Sequence, residues 1–122
     1  MSHPIVHIEF SANDHEEAGQ FYSDVFGWET EEFPEMNYTT FAGPDGSVGG
    51  GFNPVSDDAP AGTVMVYIGT DDLASSLQRI EAHGGKIILP NYEIPGVGTM
   101  AVFSDPTGNK VALLQAIESP PG

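Results

Sequence analysis

Two side chains near the start of the chain have the types and the spacing for acid–base chemistry. His7 and Glu9 lie in a stretch, residues 5–10, that alternates between two faces, so both point to the same side of a strand. Histidine exchanges protons near neutral pH, and a neighbouring carboxylate can be its partner. Their Cα atoms would be about 6 to 7 Å apart, so contact depends on side-chain reach. The alternative is a structural histidine, hydrogen-bonded to a tyrosine or to water.

The strand that carries this pair begins a segment that occurs twice in the chain. Residues 4–28 are typical of a strand, a turn, an amphipathic helix and a glycine stop, and an offset of 58 residues aligns Asp14 with Asp72 and Gly27 with Gly85. An offset of 62 aligns FAGPDG, which starts at Phe41, with FSDPTG, which starts at Phe103. The self-similarity predicts two copies of one β-α-β-β-β unit.

Capping and periodicity predict where the helices begin and which residues they bury. The first helix has Asn13 as its N-cap, with Glu16 completing a capping box, and the second runs over residues 72–83. Apolar residues at helical spacing predict two inward faces, formed by Ala18, Phe21, Tyr22, Val25 and Phe26 in the first helix and by Leu73, Leu77 and Ile80 in the second.

The remaining segments are predicted to be strands and turns of a single domain. The first copy covers about residues 4–53, a linker 54–62, the second copy about 63–115, and a short tail 116–122. Glycines at 49–51 mark either a β-bulge or the close approach of a ligand or another backbone. Residues 90–97 are expected to form a longer connection that holds Tyr92, in a place where binding residues tend to gather.

Composition excludes several classes of function. The chain has no cysteine, so a disulfide framework, a thiolate metal site and a cysteine nucleophile are excluded. A formal net charge of −15 disfavours nucleic acid and anionic membranes as partners. The charge is explained by solubility or by a preference for cationic ligands. Since no signal peptide or apolar span is present, we expect a cytoplasmic protein.

Several motifs together resemble the vicinal oxygen chelate superfamily, which includes glyoxalases, bleomycin-resistance proteins and extradiol dioxygenases. They are the two β-α-β-β-β copies, the Phe21-Tyr22 pair followed by VFGW, and the closing FSDPTGNKVALLQ. The resemblance covers nearly the whole chain. It implies an α+β fold in which two tandem βαβββ modules form a cupped, mostly antiparallel sheet with the functional site inside the cup.

The resemblance also bears on metal binding. Metal-dependent members use four His or Glu ligands, and transferring those positions gives His7, Gly50, Met65 and Ala112. Only the first of these can bind a divalent ion through its side chain, and zinc sites use three or four protein ligands. Adding Glu9 still leaves the set short. The resemblance therefore implies no cofactor and a degenerate metal site.

A small-molecule pocket is the expectation for the cup. With Gly50 and Ala112 removing side-chain volume, the mixture of apolar and polar groups suits a small organic ligand. An enzyme acting through His7 and Glu9, with or without metal, is the first alternative, and an accessory protein with a filled cup is the second. A homodimer is also expected, because exposed sheet edges must be paired or blunted. The expected pocket residues are His7, Glu9, Gly50, Phe52, Met65, Tyr67, Tyr92, Ala112 and Leu114.

Overall fold

The computed structural model describes residues 2–117, so residues 118–122 of the expected tail lie outside the described part. It contains eight strands and two α-helices, and each copy has the order β-α-β-β-β. The α+β fold class is confirmed. The elements are β1 (Ile5–Ala12), α1 (His15–Phe26), β2 (Glu29–Phe33), a 3-10 helix (Pro34–Met36), β3 (Tyr38–Ala42), β4 (Gly50–Pro54), β5 (Val64–Gly69), α2 (Leu73–Ala82), β6 (Lys86–Ile94), β7 (Gly98–Ser104) and β8 (Lys110–Ala116).

The described residues form two compact units, one of residues 6–66 and the other of residues 2–5 with 67–117. Strands follow the order β2-β3-β4-β1 in the first unit and β5-β8-β7-β6 in the second. In each unit one pair is parallel, β1 with β4 and β5 with β8, and the other pairs are antiparallel. Each parallel pair joins the strand before the helix to the last strand of the same copy.

Both helices begin at an aspartate at the same place in the repeat. Asp14 accepts hydrogen bonds from the backbone N–H groups of Glu16 and Glu17, and Asp72 accepts one from that of Ser75. The predicted N-cap at Asn13 is wrong by one residue, because the side chain that reaches the free N–H groups belongs to Asp14. The first helix ends as predicted at Gly27, whose φ of 75° is left-handed.

The face that α1 turns to its sheet differs from the predicted stripe. Gly19 is buried, and a Cβ atom on it would lie 2.9 Å from Cγ2 of Thr39, so β3 approaches the helix backbone there. Tyr22 faces inward and stacks on Phe10 and Phe52, and these rings belong to an aromatic cluster of Phe10, Tyr22, Phe26, Trp28, Phe41 and Phe52. Phe21, Val25 and Phe26, which were also predicted to face inward, are instead 55%, 57% and 61% exposed, although Phe26 keeps ring contacts with Tyr22 and Trp28. The helix face that meets the sheet is therefore the one that carries Gly19 and Tyr22.

The second unit has an aliphatic core. Leu73, Ala101 and Leu113 are buried together, and the partly buried residues packed against them are Ile68, Leu77, Ile80 and Phe103. The predicted connection over residues 90–97 is wrong in its first half, because β6 continues to Ile94. Its pairing with β7 shifts register between Ile87 and Leu89 and again between Leu89 and Tyr92. An outermost strand tolerates such irregularities and the proline between them.

Candidate functional site

The hydroxyl of Tyr38 joins His7 and Glu9. Tyr38 Oη donates a hydrogen bond to Glu9 Oε2 at 3.0 Å and lies 3.0 Å from His7 Nε2. Because a phenol has one hydrogen, this arrangement requires His7 Nε2 to carry the proton that it donates to the Tyr38 oxygen. The direct separation between His7 Nε2 and Glu9 Oε2 is 3.9 Å. The three side chains form the His7–Tyr38–Glu9 cluster.

Gly51 makes room for this cluster. In the sheet register Glu9 of β1 pairs with Gly51 of β4, and Gly51 pairs with Thr40 of β3. Tyr38 is two residues from Thr40 and therefore lies on the same face. A Cβ atom on Gly51 would overlap the hydroxyl and ring carbons of Tyr38. The glycine lets the tyrosine reach across β4 to β1. Of the alternatives expected at the glycine run, the close approach of another backbone is found at Gly50, beside Ile8, whereas the neighbour at Gly51 is a side chain.

The register corrects the expected position of Gly50. A Cβ atom on Gly50 would overlap the backbone oxygen of Ile8 and the ring of Phe41, which places this residue on the face opposite Glu9. In the second copy Ala112 pairs with Tyr67, just as Gly51 pairs with Glu9 in the first. The counterpart of Ala112 is therefore Gly51. The offset of 62 residues was one too long at this strand.

Phe52 also lies on the opposite face from the one expected. It pairs with Phe10 and is 1% exposed, and its ring stacks on Phe10 at 5.6 Å and on Tyr22 at 5.4 Å. The expectation that it shares a face with His7 is wrong. A strand alternates with a period of two, so the same one-residue shift that moves Gly50 also moves Phe52 to the helix side.

The remaining candidates of the second copy lie on β5, β6 and β8. Tyr67 and Ala112 are buried and directly paired, while Leu114 pairs with Gly69. Since Leu113 packs in the α2 core, its neighbours Ala112 and Leu114 lie on the other face of β8. Met65 is half-buried in β5. Tyr92, expected in a loop, is a strand residue paired with Met100 and is more than half exposed.

Sequence reasoning missed Tyr38 as a member of the site. Strand alternation places Tyr38 on one face of its strand but does not indicate which side chains it reaches. A usable signal was the glycine run on the last strand of the copy, because missing side chains there leave space for a long one from the adjacent strand. Recognising the signal required the register between β3 and β4.

Within residues 2–117 no group of three or more His, Cys, Asp and Glu side chains is arranged to hold a metal ion. Over the same residues, neither helix is long and apolar enough to cross a membrane.

The fold and the repeated strand–helix unit agree with a family model. The model describes the Glyoxalase/Bleomycin resistance protein/Dioxygenase superfamily and matches residues 4–113. The chain belongs to this superfamily.

Individual relatives share about a third of their aligned residues, or fewer, with this chain. A glyoxylase-like domain-containing protein of Didymella fabae is 32% identical over 114 residues, which cover 87% of this chain and 88% of that protein. The anthracycline biosynthesis protein DnrV of Streptomyces peucetius is 29% identical over 113 residues, covering 79% of this chain and 41% of that protein. The chain spans less than half the length of several curated relatives that it matches.

Solved structures support the same fold. Methylmalonyl-CoA epimerase of Mycobacterium tuberculosis superposes with a TM-score of 0.72 at 13% identity, over 93% of this chain and 88% of that one. At this identity the likeness concerns the fold alone.

Proposed function

We propose that this protein binds a small organic molecule on the sheet face that carries the His7–Tyr38–Glu9 cluster, without a divalent metal. The observation that supports the proposal is the hydroxyl of Tyr38 held 3.0 Å from both His7 Nε2 and Glu9 Oε2. The side chains of His7 and Glu9 remain 28% and 20% exposed, so a ligand can reach them. Ordered polar groups of this kind orient a bound molecule.

The residues present do not fit the metal site of metal-dependent relatives. Of the transferred ligand positions, Met65, Ala112 and either Gly50 or Gly51 offer no hard donor, and a thioether is a soft ligand. Glu9 Oε2 already accepts a hydrogen bond from Tyr38. One imidazole and one carboxylate are fewer than zinc sites use.

A second candidate function is metal-free acid–base catalysis by the same cluster. The hydrogen bonds that connect imidazole, phenol and carboxylate favour it, because they form a path along which a proton can pass between His7 and Glu9. Proton exchange next to a carbonyl group is a reaction that such a path serves. Deuterium incorporation at that carbon in D2O, lost in His7→Gln, would distinguish a catalyst from a binding protein.

The test of the binding proposal is a thermal-shift screen of small organic molecules with wild type and two variants. A ligand at 100 times its Kd stabilises the folded state by about 2.7 kcal/mol. We expect ligands that raise the Tm of wild type to lose most of that effect in Tyr38→Phe and His7→Gln. Elemental analysis of the same samples measures bound metal.

The control is His83→Gln, which removes an exposed imidazole at the end of α2, outside the expected pocket. A ligand whose effect is equal in wild type and Tyr38→Phe would show that the cluster is not the binding site. A stoichiometric divalent ion in the purified protein would contradict the metal-free part of the proposal.

We also propose that the protein is a cytoplasmic homodimer and has neither nucleic acid nor anionic membranes among its partners. The net charge of −15 supports the exclusion of phosphate-rich partners. Self-association is supported by the apolar side chains of Val25 and Phe26, which are 57% and 61% exposed at the end of α1.

A further inference from the structure

A groove on the α1 side of the first unit has no role in the proposed function. Its deeper part has a volume of about 230 Å³ and lies where the end of β1 meets α1 and residues 62–64 of the same unit. Phe10 and Phe52 are in its wall, so it opens on the sheet face opposite the His7–Tyr38–Glu9 cluster. The lining residues are Phe10, Ser11, Ala12, Ala18, Tyr22, Phe52, Gly62, Thr63 and Val64.

The deep part of the groove is walled by aromatic rings. Phe10, Tyr22 and Phe52 stack on one another with ring centroids 5.4 to 5.8 Å apart. Ala12 and Ala18 lie beside them and leave the opening unfilled. An apolar cavity of about 150 Å³ is large enough to hold benzene, so this space accommodates one aromatic ring with a short substituent.

The other end of the groove is acidic. An adjoining depression of about 300 Å³ shares Ala12 and Ala18 with the deep part, and its wall includes Asp14 and Glu17. The three Lys and Arg residues of the chain are all later than residue 66. The groove therefore combines aromatic rings with the carboxylates of Asp14 and Glu17. Asp14 also accepts two backbone hydrogen bonds, and no lysine or arginine belongs to the same unit.

We propose that this groove binds a small aromatic amine, with its ring beside the partly exposed side chains of Phe10 and Tyr22 and its ammonium group toward Asp14 and Glu17. Burial of the ring beside aromatic side chains stabilises the bound amine, and the negative potential of the carboxylates stabilises its ammonium group. An aromatic carboxylate of the same size is repelled by the same groups. The site is independent of the small-molecule site in the proposed function, because it lies on the other face of the sheet.

Three probes of similar size test the preference for charge: 2-phenylethylamine, 2-phenylethanol and phenylacetate. Trp28 is the only tryptophan and stacks on Tyr22 at 5.0 Å, so its fluorescence reports on the groove. We expect the amine to bind about two- to fivefold more tightly than the alcohol, as for one exposed ion pair, and phenylacetate to bind most weakly. No response to the amine, or equal affinity for amine and carboxylate, would overturn the proposal.

Variants locate the binding in the groove. Ala18→Leu fills the space from a helix position, where leucine is well tolerated. Ala12→Val fills it from a strand position, which suits a β-branched residue. If one variant fails to fold, the other still tests the site. We expect either variant to lose binding of the amine. Retained binding in a folded variant would place the probe elsewhere.

Charge variants and one variant of the other sheet face complete the test. Glu17→Gln should weaken binding of the amine but not of the alcohol. Glu16→Gln, whose side chain is outside the groove, should change the affinity for neither probe. Tyr38→Phe should leave amine binding unchanged. Equal loss in Glu16→Gln and Glu17→Gln would contradict a specific ammonium position, and loss in Tyr38→Phe alone would move the amine to the site in the proposed function.

Discussion

At the scale of single residues, the space above Gly51 allows Tyr38 to reach the acid–base pair. The tyrosine is on β3 and its two partners are on β1, so its ring must cross β4 at a position without a side chain. The cluster therefore depends on Gly51, although Gly51 makes no hydrogen bond to any of its three side chains. Substituting that glycine is the most direct way to move Tyr38 without changing the chemical groups of the three polar side chains.

Gly51→Ala should destabilise the protein and displace Tyr38. The added methyl group would overlap the tyrosine, and forcing an extra carbon into a packed contact costs about 1 to 3 kcal/mol. Urea unfolding measures the change. The control is the same substitution in a Tyr38→Ala background, where the obstructing ring is gone and the additional cost should be much smaller. Additive effects of the two substitutions would show that Gly51 does not accommodate Tyr38.

At the scale of elements, side-chain caps decide where helices and turns begin. Asp14 and Asp72 start the two helices, and Asp105 organises the turn between β7 and β8. In that turn the carboxylate of Asp105 accepts hydrogen bonds from the backbone N–H groups and the side chains of Thr107 and Asn109. Each cap satisfies backbone donors that have no partner within the element itself.

Asp14→Ala should destabilise the protein by about 1 kcal/mol, because it leaves two N–H groups of α1 without their acceptor. Asn13→Ala is the matched control. It changes the neighbouring residue, which does not cap the helix, and should cost less than about 0.5 kcal/mol. Thermal unfolding of both variants compares them. A larger effect at Asn13 than at Asp14 would restore the N-cap predicted from sequence.

Asp105→Asn should lower stability at neutral pH and have less effect in acid. Hydrogen bonds from the side chain and then the backbone of Asn109, followed by those from Thr107, hold the pKa of Asp105 well below its usual range. Its stabilising contribution is therefore present above the unfolded pKa of about 3.9 and is lost as pH falls toward the folded value. Urea midpoints of wild type and variant should converge below about pH 4.

Asp45→Asn is the control for that experiment, because Asp45 is an exposed turn aspartate of the other copy. Its substitution should leave the pH dependence of the urea midpoint as in wild type. If the difference in urea midpoint between wild type and Asp105→Asn stays constant down to pH 2, ionisation of Asp105 does not support the turn.

At the scale of the whole molecule, charge and exposed apolar surface oppose each other in self-association. Each chain carries a formal charge of −15, which repels a second copy. Salt screens exposed charges beyond about 8 to 10 Å, whereas contacts between apolar side chains do not require that screening. The proposed dimer should therefore form more readily as ionic strength rises.

Light scattering at low and high salt measures this association, and Val25→Lys tests the apolar surface of α1. The variant removes an exposed apolar side chain while reducing the negative charge, so weaker dimerisation would be due to lost apolar contact. Gln20→Lys makes the same kind of charge change at an exposed position of the same helix and should not weaken the dimer. A monomer at both salt concentrations would contradict the dimer.

The sequence by itself determined the two β-α-β-β-β copies, the glycine stop of α1 and the shared face of His7 and Glu9. These features depend on local periodicity and on residues close together in the chain, and the resemblance to the superfamily followed from them. Only the tertiary structure decided that Tyr38 bridges the pair, that Phe52 faces α1 and that Phe21 faces solvent. Each of these depends on the register between strands or on the approach of α1 at Gly19, and contacts between residues distant in sequence set both.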